Sequence, residues 1–145
     1  MWQYKGKDIT EDDIPKKSIG FLYKITNTKD GMFYYGRKLL TKQAYKTVAG
    51  KKKGYRKSSD WLEYWSSSPL LLELIESEGK DKFVREILMF VDTKACLTFG
   101  EEYILFTTGS LFDQKCYNGN IRSRIQRTWF NKTPNFFNEL SAVKL

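Results

Sequence analysis

The sequence predicts an α+β domain built on a small three-stranded antiparallel sheet flanked by helices, and three observations carry that prediction. Residues 20–38, GFLYKITNTKDGMFYYGRK, pass from an apolar, β-branched half through turn residues 28–31 into an aromatic and then cationic half, the pattern of a β-hairpin. Residues 82–91, KFVREILMFV, are apolar apart from Arg85 and Glu86 and predict a central strand covered on both faces. Two further stretches repeat apolar residues at helical spacing behind recognisable caps.

Taken in order, residues 1–19 form an arm. Trp2 and Tyr4 give it an apolar start, and Thr10-Glu11-Asp12-Asp13 has the look of a cap before Pro15 stops it. The arm is expected to be ordered, to add a short strand or a helical turn, and to stay off a phosphate backbone because it is acidic. In the hairpin, Tyr23 and Tyr34 are expected to face each other across the ladder with both phenols on one side. Gly36 lets a close partner approach where Arg37 and Lys38 concentrate positive charge, a floor for a phosphate.

Residues 37–57 hold nine Lys or Arg and no Asp or Glu, broken by Gly50 and Gly54, and predict a long, partly mobile basic loop. With Tyr45 and Tyr55 interleaved, the loop reads as an arm that tracks a nucleic-acid backbone through Lys51, Lys52, Lys53 and Arg56, in preference to a merely solvated insertion. Residues 58–65 open a helical turn capped by Ser59 or Asp60. Ser68-Pro69 starts a cleaner helix whose stripe is Leu70, Leu71, Leu74 and Ile75 and whose stop is Gly79, while Trp61, Tyr64 and Trp65 read as core or hinge aromatics. After the central strand, Asp92 or Thr93 caps a helix through Cys96, Phe99, Glu101, Glu102, Tyr103 and Phe106 that stops at Thr108-Gly109; Cys96 reads as a small buried hydrophobe. Residues 111–120 are loop with a turn at Tyr117-Asn118-Gly119. The tail, residues 121–145, carries Arg122, Arg124, Arg127 and Lys132 with Trp129, Phe130, Phe136 and Phe137, and predicts a basic helix followed by an aromatic segment docked on the domain.

Composition narrows the chemistry. At 145 residues and 41% hydrophobic, the chain is expected to form one globular domain. Without a membrane-length apolar run or a signal-peptide core, it is expected in the cytoplasm. The chain has two Cys without CxxC spacing and no His, which excludes ordinary structural zinc and every His-dependent nucleophile or base. Proton chemistry must then use Tyr, Lys or carboxylate, and any metal must be a hard ion on oxygen. The 25 basic against 17 acidic residues, net +8, point to a polyanionic partner, nucleic acid before a membrane surface. Glu101 and Glu102 diverge by about 100° on a helix, so at most one faces the sheet and the hairpin tyrosines.

Phe21-Leu22-Tyr23 and Tyr34-Tyr35-Gly36 resemble the two signature triplets of the GIY-YIG endonuclease family. Glu101-Glu102-Tyr103-Ile104-Leu105 resembles its metal-binding helix, and Tyr117-Asn118 the pair that follows that helix. Ser59-Asp60-Trp61, Tyr64-Trp65-Ser66-Ser67 and residues 83–88 are further similar to small phage-encoded proteins of homing-endonuclease type, so the resemblance runs over residues 2–121. It implies hydrolysis of DNA phosphodiesters with one divalent ion, Mg2+ or Mn2+, held by Glu101, with Glu102 as the fallback. It also implies that Tyr23 takes the proton of the attacking water with its pKa lowered by the nearby metal and cations. Tyr34 would orient that water or the scissile phosphate, Arg37 would stabilise the transition state, and Asn118 would position Glu101 or a neighbouring strand. DNA contacts would fall to Lys38, Lys51, Lys52, Lys53, Arg56, Asn118, Arg122 and Arg124, with a homodimer left open. Many members carry an essential Arg on the first helix after the second triplet. Here the basic segment replaces that region, making Arg37 or Lys38 the first candidate for the phosphate-gripping cation and Arg56 the second. The rival implication is a DNA-binding or protein-interaction module of the same fold that does not cleave.

Overall fold

The structure is a computed structural model that describes residues 1–121 and 127–145. In chain order it runs β1 (Trp2–Tyr4), β2 (Lys7–Asp8), a 3-10 turn (Glu11–Asp13), β3 (Gly20–Asn27), β4 (Phe33–Leu39), β5 (Thr41–Val48), β6 (Lys51–Ser58), α1 (Pro69–Glu78), β7 (Phe83–Val91), α2 (Lys94–Thr107) and α3 (Phe136–Ser141). The main sheet has five strands in the order β2-β1-β7-β3-β4. Its β3–β4, β3–β7 and β1–β2 pairs are antiparallel, whereas β1 lies parallel to β7. The expected three-stranded antiparallel sheet is therefore its β7-β3-β4 part, widened beyond β7 by the N-terminal arm.

Trp2 explains why the arm adds to the sheet. Its ring is buried against the edges of Phe21 and Tyr23, and its indole Nε1 donates to the Trp61 carbonyl at 2.7 Å. Burying an indole with its one donor satisfied is worth more than three residues of strand propensity. The 3-10 turn fits the capping pattern, with Thr10 N donating to Asp13 Oδ2 at 2.7 Å.

The sheet separates two apolar layers. Phe21, Tyr23 and Ile25 of β3 face one way, onto Trp2, Trp61, Leu71 and Ile75; Leu22 faces the other, with Leu97, Ile104, Leu105, Phe136 and Leu140. The strand covered on both faces is thus β3. β7 holds the middle position, as expected, but exposes Glu86. One bulge interrupts the β3–β7 ladder: Leu22 pairs with Met89 and Tyr23 with Ile87, so Leu88 has no partner and the twist increases beside Tyr23.

Both helix starts follow their caps. Ser68 Oγ accepts from Leu71 N at 3.4 Å, and Thr93 Oγ1 accepts from Cys96 N at 3.1 Å. Residues 58–65 form turns and no helix, and Leu70, expected in the buried stripe, is 54% exposed one position off the Leu71–Ile75 line. Cys96 is buried. Gly100 lets α2 approach the sheet until Leu22 fills the space a Cβ would take. The tail docks as expected through Phe130 and Phe136, whose rings pack on Phe99 of α2. Arg122, Arg124 and the start of the expected basic helix lie outside the described residues.

The largest departure is the basic segment. It is not a loop: β5 and β6 pair in register from Thr41↔Ser58 to Val48↔Lys51. Ala49 (φ 51°) and Gly50 (φ 74°) make the tight turn with the left-handed geometry that two-residue hairpins require. The ribbon is a separate two-stranded sheet, and every residue of β6 is exposed.

Arg85 of β7 is buried without a carboxylate. Its guanidinium lies between the rings of Trp65 (4.2 Å) and Trp2 (4.7 Å), and Nη1 donates to the carbonyls of Leu62 (3.0 Å) and Tyr64 (2.6 Å). Burial lowers its pKa to about 10, so it stays charged at neutral pH. It pins the turn that carries Tyr64. No helix among the described residues is long and apolar enough to cross a membrane.

Arg85→Ala removes both carbonyl contacts and the cation between the indoles, and it is expected to destabilise the fold by about 2–4 kcal/mol. Urea unfolding checks this; a loss below about 0.5 kcal/mol would contradict the buried role.

Candidate active site

Three walls meet at the outer end of β4. The first is aromatic. Alternation along β3 puts Tyr23 on the α1 face, where it is 1% exposed. It pairs with Gly36, and Tyr34 pairs with Ile25. The two tyrosines are thus diagonal neighbours on one face, not directly opposed as expected, with ring centroids 6.2 Å apart. Gly36 is required there: the Tyr23 phenol lies across it, and any Cβ would collide with Tyr23 Oη and Cζ. The close partner that this glycine admits is the phenol itself. Tyr64 completes the wall, its ring edge-on to Tyr23 at 6.1 Å.

The second wall is charged. Glu101 of α2 faces Arg37 of β4, Oε2 to Nε 4.0 Å, and both side chains keep solvent access. Glu102 is turned out of the cleft and 4% exposed, with one carboxylate oxygen lacking a hydrogen-bond partner among the described residues.

The third wall finishes the sheet edge. Phe33 N donates to the Lys115 carbonyl (2.9 Å) and Tyr117 N to the Phe33 carbonyl (2.8 Å), so residues 115–117 run beside β4. Asn118 then substitutes its side-chain amide for a strand residue: Tyr35 N donates to Oδ1 and Nδ2 donates to the Tyr35 carbonyl, each at 2.8 Å. Asn118 therefore holds a neighbouring strand, one of the two roles the resemblance implied.

These walls and the start of α1 enclose a cleft of about 580 Å³ lined by Tyr23, Tyr34, Tyr64, Arg37, Glu101, Ser67, Ser68 and Asn118. Of the basic candidates, the structure brings only Arg37 into it among the described residues. Lys38 is held elsewhere, its Nζ 2.6 Å from Asp60 Oδ1 and 4.0 Å above the Tyr64 ring, and this hydrogen bond keeps Asp60 below the usual carboxylate range. Arg56 is bonded to Thr41 at the base of the ribbon, Nε to Oγ1 at 3.0 Å and Nη2 to the carbonyl at 2.8 Å, and Lys51, Lys52 and Lys53 stand at its far end. The sequence reading missed Tyr64, Ser67 and Ser68 as cleft residues. Tyr64 read as a core or hinge aromatic because it flanks the helix that starts at Pro69, and Ser68 read only as a cap.

The electrostatics follow from burial. Tyr23 is pushed well above the ordinary phenol range by burial, and then by Tyr64, Tyr34 and Glu101. In the protein alone these neighbours all oppose the Tyr23 phenolate, and the nearby cations do not supply the expected lowering. Burial also raises Tyr34, against an opposing pull from the Ser67 hydroxyl. Glu101 is raised by burial, lowered by Arg37 and raised again by Glu102.

The donors around Glu101 are oxygens and an amide, without imidazole or thiolate, and no group of three His, Cys, Asp or Glu forms among the described residues. A fully caged ion does not fit. A hard ion that keeps most of its water and takes one carboxylate does. At 4.0 Å from Arg37, the Glu101 oxygens remain free to bind it.

A mixed sheet with one phenol lying across Gly36, a second beside it and one helix carboxylate in the same cleft defines a GIY-YIG nuclease domain. The family model described as "Putative endonuclease segE, GIY-YIG domain" matches residues 2–121, and the chain belongs to that family. No match is found among curated proteins or among solved structures.

A carboxyl raised on folding favours the fold while protonated. That contribution is complete below its unfolded pKa and is lost as pH rises through the folded one. Glu101→Gln should therefore raise the melting temperature at pH 7 by about 2–4 °C, with the gain shrinking as pH falls toward 4. Thermal melts against pH check this; a variant less stable than the parent at pH 7 would contradict it.

Proposed function

We propose that the cleft hydrolyses DNA phosphodiesters with the help of one divalent ion, Mg2+ or Mn2+, and that the chain is a phage-encoded endonuclease of homing type, the class its sequence resembles. The observation that carries the reading is the convergence of Glu101, Tyr23, Tyr34 and Arg37 on one cleft in a chain of this family. Glu101 would hold the ion, which when bound acidifies a water and offsets charge developing on the phosphate.

The chain's own groups supply the rest. Arg37 donates charge-assisted hydrogen bonds to non-bridging phosphate oxygens, and its guanidinium sits where the negative charge of attack grows. Ser67 and Ser68, at the start of α1, line the same space and place hydroxyl groups beside it. Tyr34 Oη orients the attacking water. Tyr64 and the Tyr23 ring exclude bulk water from one side. Tyr23 Oη receives the water's proton only after losing its own. Burial and its neighbours hold that phenol well above the ordinary range, so it stays protonated at neutral pH. The bond to one sugar oxygen breaks, and that oxygen takes a proton from solvent.

Glu101→Ala is expected to abolish plasmid cleavage in Mg2+ while leaving duplex binding within about threefold, and EDTA to do the same to the parent. Cleavage that survives either treatment would overturn the metal assignment. A parent that binds duplex without ever cutting it would be the non-cleaving module instead.

Because Tyr23 titrates above neutrality, the parent's cleavage rate should climb about tenfold per pH unit from 6 to 9. Tyr23→Phe should be slow and nearly flat over that range. An unchanged slope in the variant would remove Tyr23 from proton transfer.

A further inference from the structure

The β5–β6 ribbon carries seven of the chain's 25 basic residues and none of its 17 acidic ones, leaving 18 against 17 for everything else. The body is nearly neutral, and the net charge of +8 resides almost wholly in the ribbon. The register sorts these charges by face. Lys42, Lys46, Lys51, Lys53 and Lys57 share one face with Tyr55 and Ala44, and the other face holds Gln43, Tyr45, Thr47, Lys52 and Arg56. On the five-lysine face, Lys42 stands directly opposite Lys57 and Lys46 opposite Lys53. Like charges facing each other across a ladder are destabilising. None of the seven makes an ion pair among the described residues. A hairpin without a buried face, carrying two facing lysine pairs with no ion-pair partner among the described residues, is built against its own stability and in favour of an anionic partner.

Resting on the nuclease reading for its choice of polyanion, we infer that this ribbon lies in the major groove of duplex DNA with its five-lysine face toward the DNA. Two strands about 4.8 Å apart, with their side chains, fill a groove of about 12 Å and are too wide for a minor groove of about 6 Å. The deep, narrow major groove of duplex RNA does not admit such a ribbon. Eight residues at about 3.3 Å each span roughly seven base pairs, and lysines spread from the ribbon's axis reach phosphates on both walls. Ala44 and Tyr55, a direct pair at the middle of this face, sit over the groove floor, where small apolar and aromatic groups meet thymine methyls. The cleft then cuts beside the site the ribbon occupies.

The full chain in EDTA, titrated onto a labelled duplex of about 20 base pairs across a NaCl series, tests this. The double variant Lys46→Ala/Lys53→Ala should lower the salt slope of binding by about two units and weaken binding at least tenfold near 0.15 M salt. The opposite-face variant Gln43→Ala/Thr47→Ala should match the parent. Methyl green, a major-groove ligand, should displace the protein, and netropsin, which fills the minor groove, should not. An unchanged slope in the lysine variant, equal losses from both faces, tighter binding to single strands, or displacement by netropsin would overturn the inference. If the parent still cuts DNA in Mg2+ while the lysine variant keeps its slope, the ribbon assignment falls and the nuclease reading stands. If the lysine variant loses slope but the parent never cuts, the reverse holds.

Discussion

The close contact between the Tyr23 phenol and the backbone of Gly36 governs the site. Any other residue at 36 would put a Cβ inside that ring. The ring would have to tilt back into the layer formed by Trp2, Phe21 and Trp61, which is already filled. With glycine there, the hydroxyl crosses the sheet edge and reaches the side from which α2 presents Glu101. A phenol from one face and a carboxylate from the other thus share a cleft, although the sheet separates their apolar layers.

That arrangement depends on an edge that is finished without being covered. A sixth full strand beside β4 would bury Arg37. Residues 115–117 pair only with the start of β4, and the Asn118 amide ends the pairing at Tyr35. The ladder is satisfied up to the point where the cleft opens. Arg85 works from the opposite side: by holding the carbonyls of Leu62 and Tyr64 it fixes a turn that belongs to no helix or strand.

Much of this was legible. The hairpin at residues 20–38 and the helix caps at Ser68 and Thr93 follow from local chemistry that the tertiary structure does not override, whereas the choice of Glu101 over Glu102 comes from the family resemblance. The register was available too. Four turn residues, 28–31, set Asn27 against Met32 and therefore Tyr23 against Gly36, so the expected Tyr23–Tyr34 opposition conflicts with the turn length itself. Other features left no local trace. β1 is three residues long, too short for periodicity, and its place beside β7 is decided by where the Trp2 indole can be buried. The ribbon has no core-facing side, so the alternation that reveals strands is absent, and only the turn at Ala49-Gly50 and the scattered Thr, Tyr and Val residues hint at it. Arg85 looked like a polar interruption of a strand; the two indoles that accept it come from distant segments.

The molecule divides labour between a nearly neutral body that holds the cleft and a ribbon that holds the charge. The central proposal concerns the body: that one carboxylate and two phenols surround a single cation site. Paramagnetic broadening by substoichiometric Mn2+, read on the side-chain resonances of the assigned protein, tests it most directly. The account predicts that the Tyr23 and Tyr34 rings and the Glu101 side chain broaden first and together. Broadening that begins instead at the acidic turn of Glu11, Asp12 and Asp13, with the two rings unaffected, would contradict it.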